Sequence, residues 1–296
     1  MDLEALTADL RRAIGGRKVT DDYIAPSLVE RLAVTLDRDD APPRAGEALP
    51  PGWHTVFCLQ APTRAELGDD GLPRRYDLIP PIPMQRRLFG GARLEFHAPL
   101  MVGEKVTCES ELAEIKVRST RSAHLAIATL RHRFSGSAGL SVVEEQDIVH
   151  MEPIATGKNG DPEQGSGEGA ARPAPTWQRT MVPDAVTLFR FSALTFNSHR
   201  IHYDAPYAER DEQLPGLAVQ GKWIALQLLE TVHHAARGAE PKTYQYRLTR
   251  PVYAGSRCTF AGKLGDTGNE ARMWVENESG AVVQTASLTL AKAVRG

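Results

Sequence analysis

A nine-residue segment occurs twice in this chain, and the repeat constrains the fold more than any other feature. The first copy is Pro99-Leu-Met-Val-Gly-Glu-Lys-Val-Thr107, and the second is Pro251-Val-Tyr-Ala-Gly-Ser-Arg-Cys-Thr259. Proline, glycine and threonine match at a constant offset of 152, and an apolar residue follows each proline. Because similar strand-like runs surround both copies, the repeat predicts two related halves.

The strand-like runs in both halves are separated by turn signals. The last run, residues 281–291, alternates apolar with polar side chains, which is typical of a half-buried antiparallel strand. Each half is therefore predicted to contain one long helix followed by an antiparallel meander. This is an α+β architecture, the double hot-dog fold, with two antiparallel sheets that each wrap a long helix. The predicted strands are 89–98, 104–117, 123–134 and 140–151 in the first half, and 242–251, 257–265, 270–276 and 281–291 in the second.

A segment rich in glycine, proline and charge lies between the halves. It contains no apolar residue larger than alanine, so it cannot bury enough surface to order itself. We place this linker at 156–176, between an N-terminal domain at 1–155 and a C-terminal domain at 177–296. Both domains are of normal size.

Charge and hydropathy exclude several function classes. The 296 residues include 35 Lys and Arg against 37 Asp and Glu, and the basic residues are scattered, so we expect no nucleic-acid partner. No apolar run approaches the roughly 20 residues that span a bilayer, so we expect no membrane partner. Acidic residues stand at the N-terminus where a targeting peptide carries bases. Three separated cysteines form no metal-binding pattern, and we expect a reduced, cytoplasmic globular protein.

One loop concentrates the polar groups that carry chemistry. Residues 197–204 include two histidines, an asparagine and an aspartate. The preceding segment predicts a short helix with Asp184 as its N-cap and Val186, Phe189 and Leu194 at helical spacing. The segment after the loop predicts a longer helix, which Gly238 and Pro241 stop. Its broad apolar face consists of Trp223, Ile224, Leu226, Leu228, Leu229 and Val232. A polar loop held between two helices is well suited to fixing catalytic side chains.

These segments resemble a known family. Asn197-Ser-His-Arg-Ile-His-Tyr-Asp204 and Gly216-Leu-Ala-Val-Gln-Gly221 are similar to the MaoC-like, or type 2, enoyl-thioester hydratases and dehydratases. Within that family the chain most resembles the double-hot-dog branch of hydroxyacyl-thioester dehydratase type 2 and mesaconyl-C4-CoA hydratase. The resemblance covers most of the chain. In the first half it is carried by Trp53-His54, Leu67-Gly-Asp-Asp-Gly71, Arg86-Arg-Leu-Phe-Gly-Gly91 and Glu144-Glu-Gln-Asp-Ile-Val149.

The loop departs from the wider family at one position. The usual pattern is aspartate, four residues, histidine and an acidic residue two positions later. Here Asn197 falls on the aspartate position, His202 on the histidine, and Asp204 follows. An amide cannot accept a proton as a carboxylate can, so the group that shares water activation with His202 stays open. The close branch also carries asparagine there, which indicates a variant chemistry.

The resemblance implies addition of water across an enoyl thioester, and the loop holds groups suited to it. The reaction needs a base for water, an acid for the α-carbon and a donor for the enolate oxygen. Histidine suits the first two roles because its ordinary pKa is about 6.5. We assign His202 as the principal acid/base, Asn197 to positioning the water, and His199 as the second proton-transfer group.

The substrate-binding residues are predicted around the start of the longer helix. Gly221 lies where a backbone N–H is free and carries the positive end of the helix dipole, so it is the predicted oxyanion donor. Gln220 and Tyr203 are predicted to line the acyl pocket. Arg86, Arg87, Lys222 and Arg247 are alternatives for the phosphates of coenzyme A, and the sequence does not choose among them.

The first half is predicted to be non-catalytic and to shape the acyl tunnel. Subtracting 152 from positions 197, 202 and 221 gives Ala45, Pro50 and Asp69, which form no comparable cluster. We therefore expect one active site per chain and a large pocket that favours branched acyl groups over crotonyl chains.

Plainer interpretations of the loop remain open at this point. His199 and His202 are alternatively structural, Asn197 alternatively caps a turn, and Gly221 alternatively allows close packing. A metal site at His199, His202 and Asp204 has no recognised zinc spacing, so none is predicted.

The leading function is reversible hydration of an enoyl-CoA, of a branched or dicarboxylic C4–C5 type such as mesaconyl- or itaconyl-CoA. Dehydration of 3-hydroxyacyl chains on acyl carrier protein, thioester hydrolysis and non-catalytic acyl-CoA binding are the alternatives. The predicted partner is an acyl-CoA substrate, with coenzyme A as part of the substrate and no other cofactor. Whether the two halves suffice as a pseudo-dimer or the chain also forms a homodimer stays open.

Overall fold

Antiparallel strands form one continuous ten-stranded sheet in the computed structural model, which describes residues 3–84, 86–119, 124–151 and 172–293. The strands are β1 Arg17–Tyr23, β2 Arg86–Phe96, β3 Lys105–Ser119, β4 His124–Gly136, β5 Gly139–Met151, β6 Trp177–Met181, β7 Pro241–Leu248, β8 Cys258–Leu264, β9 Glu270–Glu276 and β10 Val282–Leu290. The helices are α1 Leu3–Arg11, α2 Pro26–Thr35, α3 Ala185–Leu194, α4 Ala205–Arg210 and α5 Gly221–Ala235, with 3-10 turns at Trp53–Val56, Arg64–Glu66 and Arg200–His202.

The sheet consists of two halves with the same topology. Its order is β1-β3-β4-β5-β2-β7-β10-β9-β8-β6, so both halves show the same succession of strands outward from the central β2–β7 pair. The repeated segments occupy equivalent places. The Gly103 N–H donates to Ile24 O and the Gly255 N–H to Pro183 O, both at 2.8 Å. Both glycines adopt left-handed backbone, with φ of 92° and 85°, which explains why the repeat requires glycine.

Two details of the predicted architecture are corrected. The two predicted sheets are one, because residues 91–95 of β2 pair with 243–247 of β7. In addition, the described part of the first half has no long helix, since its longest, α2, has ten residues whereas α5 has fifteen. The place equivalent to α5 holds only the 3-10 turn Trp53–Val56. Aromatic and β-branched residues follow one another there, and Pro62 comes soon after, which disfavours helix elongation.

The α+β double hot-dog class is confirmed by this sheet and its central helix. All eight predicted strands occur, each within three residues of its predicted ends, while β1 and β6 were not predicted. The predicted linker lies outside the described residues as far as residue 171, and residues 172–176 lead into β6 without helix or strand. The domain boundaries therefore stay predictions.

The main core lies between α5 and the sheet. Ten consecutive residues of α5, from Trp223 to Val232, are buried. The apolar ones join residues of both halves, including Trp53, Phe191 and Phe260, in one apolar cluster. Burial of this size is the main force that holds the helix against the sheet. The core thereby fixes the start of α5, next to the predicted catalytic loop.

Helix α3 confirms the predicted N-cap but only one residue of the predicted apolar set. The Asp184 carboxylate accepts a hydrogen bond from the Thr187 N–H at 2.8 Å, which satisfies a free donor of the first turn. Leu194 is buried, together with Leu188 and Phe191, whereas Val186 and Phe189 are exposed. The inner face of the helix meets α2 and the 3-10 turn at residues 200–202.

Candidate active site

The polar loop begins at a tight helix end. Helix α3 closes with a Schellman motif, in which the Asn197 N–H donates to Ser192 O at 2.9 Å and the Phe196 N–H to Ala193 O at 3.4 Å. Phe196 has the left-handed φ of 48° that such an end requires. Glycine or asparagine normally takes this position, and an aromatic residue there is strained. The motif sets the direction in which Asn197 leaves the helix.

Asn197 shapes the next turn of the loop. Its Oδ1 accepts a hydrogen bond from the His199 N–H at 3.1 Å, which forms an Asx turn. The turn-capping interpretation is thus realised in the structure. The amide NH₂ and the second lone pair of Oδ1 are still available to water, so the water-positioning role stays a prediction.

His202 lies at the end of the 3-10 turn Arg200–His202 and is only 7% exposed. Its Nδ1 is 2.7 Å from the carbonyl oxygen of Ala218. A carbonyl can only accept, so Nδ1 carries the proton and Nε2 is the basic nitrogen. Burial lowers the pKa of His202 to about 4, although the bond to Ala218 opposes this shift. The side chain is therefore neutral at pH 7 and able to take a proton.

His199 lies beside His202 in the same loop. The two ring centroids are 5.5 Å apart and the rings are nearly perpendicular. Burial is the main cause that lowers the pKa of His199 to about 3; the charges of His202 and Arg87 contribute to this shift, and Asp70 opposes it. Two neutral imidazoles thus face each other, and a proton gained by one disfavours protonation of the other.

The first half of the chain binds this loop directly. The Ser198 hydroxyl donates to Gly71 O at 2.6 Å, and the Arg200 N–H donates to Asp70 O at 2.8 Å. Gly71 has a φ of 82°, and a Cβ there would lie 1.9 Å from Ser198 O. Only glycine fits so close to the loop. The segment 67–71, which carried part of the family resemblance, is therefore a clamp on the predicted catalytic loop.

Two arginines hold the clamp and the loop together. Arg200 donates to Asp69 O and to the Asp204 carboxylate at 2.8–2.9 Å, and its guanidinium lies 4.0 Å above the Tyr207 ring. Arg87 donates to the Asp70 carboxylate at 2.9 Å. Arg87 was an alternative for coenzyme A phosphates, but in this structure its guanidinium is mostly buried and occupied by the clamp.

Gly221 is the first residue of α5, where a backbone N–H has no partner within the helix. No acceptor for this N–H occurs among the described residues. A Cβ at Gly221 would lie 2.3 Å from Leu248 Cδ2 on β7. Close packing alone therefore favours glycine, because a Cβ would force the Leu248 side chain to shift. The oxyanion role stays a prediction that the packing does not exclude.

Gln220 and Tyr203 lie beside the loop in supporting positions. Gln220 is buried, and its Nε2 donates to Leu188 O and Ser192 Oγ, both at 2.9 Å. Its Oε1 is buried without a donor from the described residues. Tyr203 is 46% exposed and donates to Ser198 O at 3.1 Å. The cavity described next does not include them, and their predicted pocket role is untested.

A cavity separates α5 from the β2–β7 junction. It is narrow: the centre of a water molecule can move through only about 20 Å³ of it, and the volume reaches about 270 Å³ only when every gap and the open mouth are included. Inside it, His54 Nε2 lies 3.0 Å from Glu144 Oε2. Burial would raise the pKa of Glu144, but the charge of Lys222 and the hydrogen bond to His54 hold that pKa well below its usual range. The lining residues are Gly52, His54, Thr55, Leu94, Glu144, Lys222, Ala225, Leu226, Leu229, Tyr244 and Tyr246.

His54 and Glu144 belong to segments that resemble the hydratase family, but the sequence predicted no contact between them. They are 90 residues apart, and only the pairing of the strands brings them together. Among the described residues, no cluster of three or more His, Cys, Asp and Glu side chains has the geometry of a metal site. No described helix has both the length and the apolar character needed to cross a membrane.

Comparison with known proteins decides the family. The model of hydroxyacyl-thioester dehydratase type 2 matches residues 52–254, which include both the clamp and the catalytic loop. The chain belongs to this family. The dehydratase family is a group of hydro-lyases, so the chain is a hydro-lyase that acts on acyl thioesters, and the predicted MaoC-like resemblance is confirmed.

Individual relatives agree with this family. The mesaconyl-C4-CoA hydratase of Chloroflexus aurantiacus is 40% identical over 242 residues, covering 78% of this dehydratase-family chain and 81% of the relative. A solved MaoC-like dehydratase superposes with a TM-score of 0.67 at 15% identity, over 96% of this chain and all of the other. A Mycobacterium tuberculosis protein described as a double hot-dog superposes with a TM-score of 0.59 at 14% identity, over 94% and 97%. The fold is thus shared.

Proposed function

We propose that this chain reversibly hydrates an enoyl-CoA whose acyl group is branched or dicarboxylic with four or five carbons, of the mesaconyl- or itaconyl-CoA type. The observation that carries the proposal is the fixed tautomer of His202, whose Nδ1 is held by Ala218 O at 2.7 Å. The 40% identity to a mesaconyl-C4-CoA hydratase supports the substrate class. Coenzyme A enters as part of the substrate.

The proposed hydration uses the loop as follows. His202 Nε2 removes a proton from water while the water oxygen bonds to the β-carbon. The electron pair of the double bond moves through the α-carbon to the thioester oxygen, which the Gly221 N–H stabilises. That proton then passes from the His202 imidazolium to the α-carbon, either directly or relayed through His199, which regenerates the thioester carbonyl and neutral His202. Dehydration is the reverse.

The N-terminal half contributes position rather than proton transfer in this proposal. Asp70 and Gly71 bind the loop at the residues that flank His199. Because the imidazoles are already fixed before substrate binds, the entropy cost of orienting them does not add to the activation barrier. We further propose that the 3-10 turn Trp53–Val56 and β2 form one wall of the acyl tunnel, because both line the cavity beside α5.

Mass spectrometry of a mixed enoyl-CoA pool tests the proposed function. Purified protein is incubated with the pool while a thiol reagent monitors free coenzyme A. The expected result is gain of one water by the dicarboxylic or branched esters without thiol release. Released thiol would instead indicate a thioesterase. Conversion of carrier-protein esters alone would indicate the acyl-carrier-protein dehydratase.

A further inference from the structure

We propose that the cavity between α5 and the β2–β7 junction binds the acyl end of the substrate, and that Lys222 is the cation that binds a carboxylate carried by that acyl group. The inference rests on the proposed function and deepens it, since it names the residue that selects a dicarboxylic ester.

The position of Lys222 places it beside the reacting group. It directly follows Gly221 in the first turn of α5, and it lines the cavity. A thioester carbonyl that accepts from the Gly221 N–H would direct a short acyl chain along the cavity. The start of a helix also favours negative charge. A carboxylate a few bonds from the thioester would therefore meet the Lys222 ammonium.

The Lys222 ammonium does not use all of its hydrogen-bond donors within the described residues. It donates one long hydrogen bond, 3.4 Å, to the Thr55 hydroxyl, and it lies 5.6 Å from the centre of the Phe89 ring. No carboxylate oxygen of the described residues lies within 4.0 Å of Lys222 Nζ, the limit for an ion pair. An ammonium can donate three hydrogen bonds, and a partly buried one gains from a charged acceptor. A ligand carboxylate would supply that acceptor.

Glu144 does not occupy the place of this carboxylate. Its Oε2 bonds to His54 at 3.0 Å, and both side chains are almost fully buried. Lys222 acts on Glu144 by charge at longer range, as the lowered pKa of Glu144 shows. His54 and Glu144 therefore form a polar wall of the cavity beside Lys222. A methyl branch on the acyl group of the substrate would contact the apolar side chains of Leu94, Leu226 and Leu229.

The cavity suits a short acyl group. Gly52 has a φ of 86°, and a Cβ there would lie 2.8 Å from Leu226 and 2.9 Å from Leu229. The first half therefore packs tightly onto α5 one and two turns after Lys222. A long apolar chain would have to displace this contact, so the cavity favours a short acyl group.

Binding of saturated esters tests the inference without requiring turnover. Dissociation constants are measured by calorimetry for succinyl-CoA and butyryl-CoA, which differ in the terminal carboxylate. We expect the wild type to bind succinyl-CoA about tenfold or more tightly than butyryl-CoA, and Lys222→Met to remove most of this preference. Lys222→Arg, which keeps the charge, should retain part of it, and Lys263→Met on the exposed side of β8 should retain all of it.

Two results would overturn the inference. One is a wild type that binds both esters equally, which needs no variant and is independent of whether Lys222→Met folds. The other is a folded Lys222→Met, judged by its melting temperature, that keeps the wild-type preference. Failure of the proposed function would look different, since no enoyl-CoA would gain water even though the preference for succinyl-CoA persisted.

Discussion

His202 donates a hydrogen bond from Nδ1 to the carbonyl oxygen of Ala218, 2.7 Å away, so two segments 16 residues apart fix one imidazole tautomer. Ala218 in turn is held by its N–H bond to Ile201 O at 2.9 Å and by a bridge to Tyr253. His202 Nε2, the proposed catalytic nitrogen, is therefore oriented by the segment that leads into α5. The same segment ends at Gly221, so the proposed base and the proposed oxyanion donor share one support.

Replacing His202 with alanine should lower kcat/KM for hydration by about 100-fold or more, the usual worth of a positioned acid or base. Steady-state kinetics with the ester found by mass spectrometry measures this. The matched control is His97→Ala, since His97 is largely exposed and lies at the end of β2. A loss below about tenfold in His202→Ala would remove His202 from the acid/base role.

The pH dependence of kcat/KM should have its acid limb well below the ordinary histidine value of 6.5. Burial lowers the pKa of His202 to about 4 and that of His199 to about 3, so the base is unprotonated down to about pH 4. Activity should thus be lost as pH falls through that range. A limb near 6.5 would contradict the buried, neutral imidazole.

The same shifts affect stability with a defined sign. The unfolded chain takes up protons at these histidines below 6.5, whereas the folded chain does so only near the lowered values. The free energy of unfolding is therefore at its maximum above pH 6.5. It falls as pH decreases toward 4, by up to about 1.4 kcal/mol per pH unit for each histidine with a lowered pKa. Circular dichroism at each pH separates this loss from protonation of the active site.

Gly221→Ala should reduce both stability and activity, because its Cβ would lie 2.3 Å from Leu248 Cδ2. Adding Leu248→Ala relieves that clash and separates the two roles. If Gly221 binds the thioester oxygen, the double variant should recover melting temperature relative to Gly221→Ala but not kcat/KM. Recovery of both would show that Gly221 serves packing alone.

Gly71→Ala tests the clamp of the first half on the catalytic loop. Gly71 and Gly139 both have left-handed backbone, with φ of 82° and 89°, but only a Cβ at Gly71 would meet the loop, 1.9 Å from Ser198 O. Both alanine variants carry similar backbone strain, of about 1 kcal/mol. We expect kcat/KM to fall at least about tenfold in Gly71→Ala and little in Gly139→Ala. Equal effects on kcat/KM would deny the clamp a catalytic role.

The sequence predicted those elements whose signals are local. Asp184 caps α3 and Gly221 begins α5, because a capping side chain and an apolar face are visible within a few residues. The clamp could not be predicted in this way. Gly71 and Ser198 lie 127 residues apart, and their contact depends on how the two halves pack.

The offset of 152 failed for the catalytic loop because the halves differ in length between equivalent contacts. Ile24 O and Pro183 O accept equivalent hydrogen bonds in the two halves, and these residues are 159 positions apart in the sequence. Glu47 O and Leu217 O form another equivalent pair of acceptors, but they are 170 positions apart. The second half therefore has a longer segment between these points, and that segment carries the 3-10 turn with His202 and helix α4. The proposed catalytic residues lie in the segment where the repeat is broken, so no single offset maps them onto the first half.

The most direct test is mass spectrometry of a dicarboxylic enoyl-CoA incubated in ¹⁸O-labelled water with the wild type and with His202→Ala. The account predicts that the wild type adds one labelled water to the acyl group, that coenzyme A stays attached, and that His202→Ala slows this addition at least about 100-fold. An unchanged ester, labelled free acid with released thiol, or equal rates in the two proteins would contradict it.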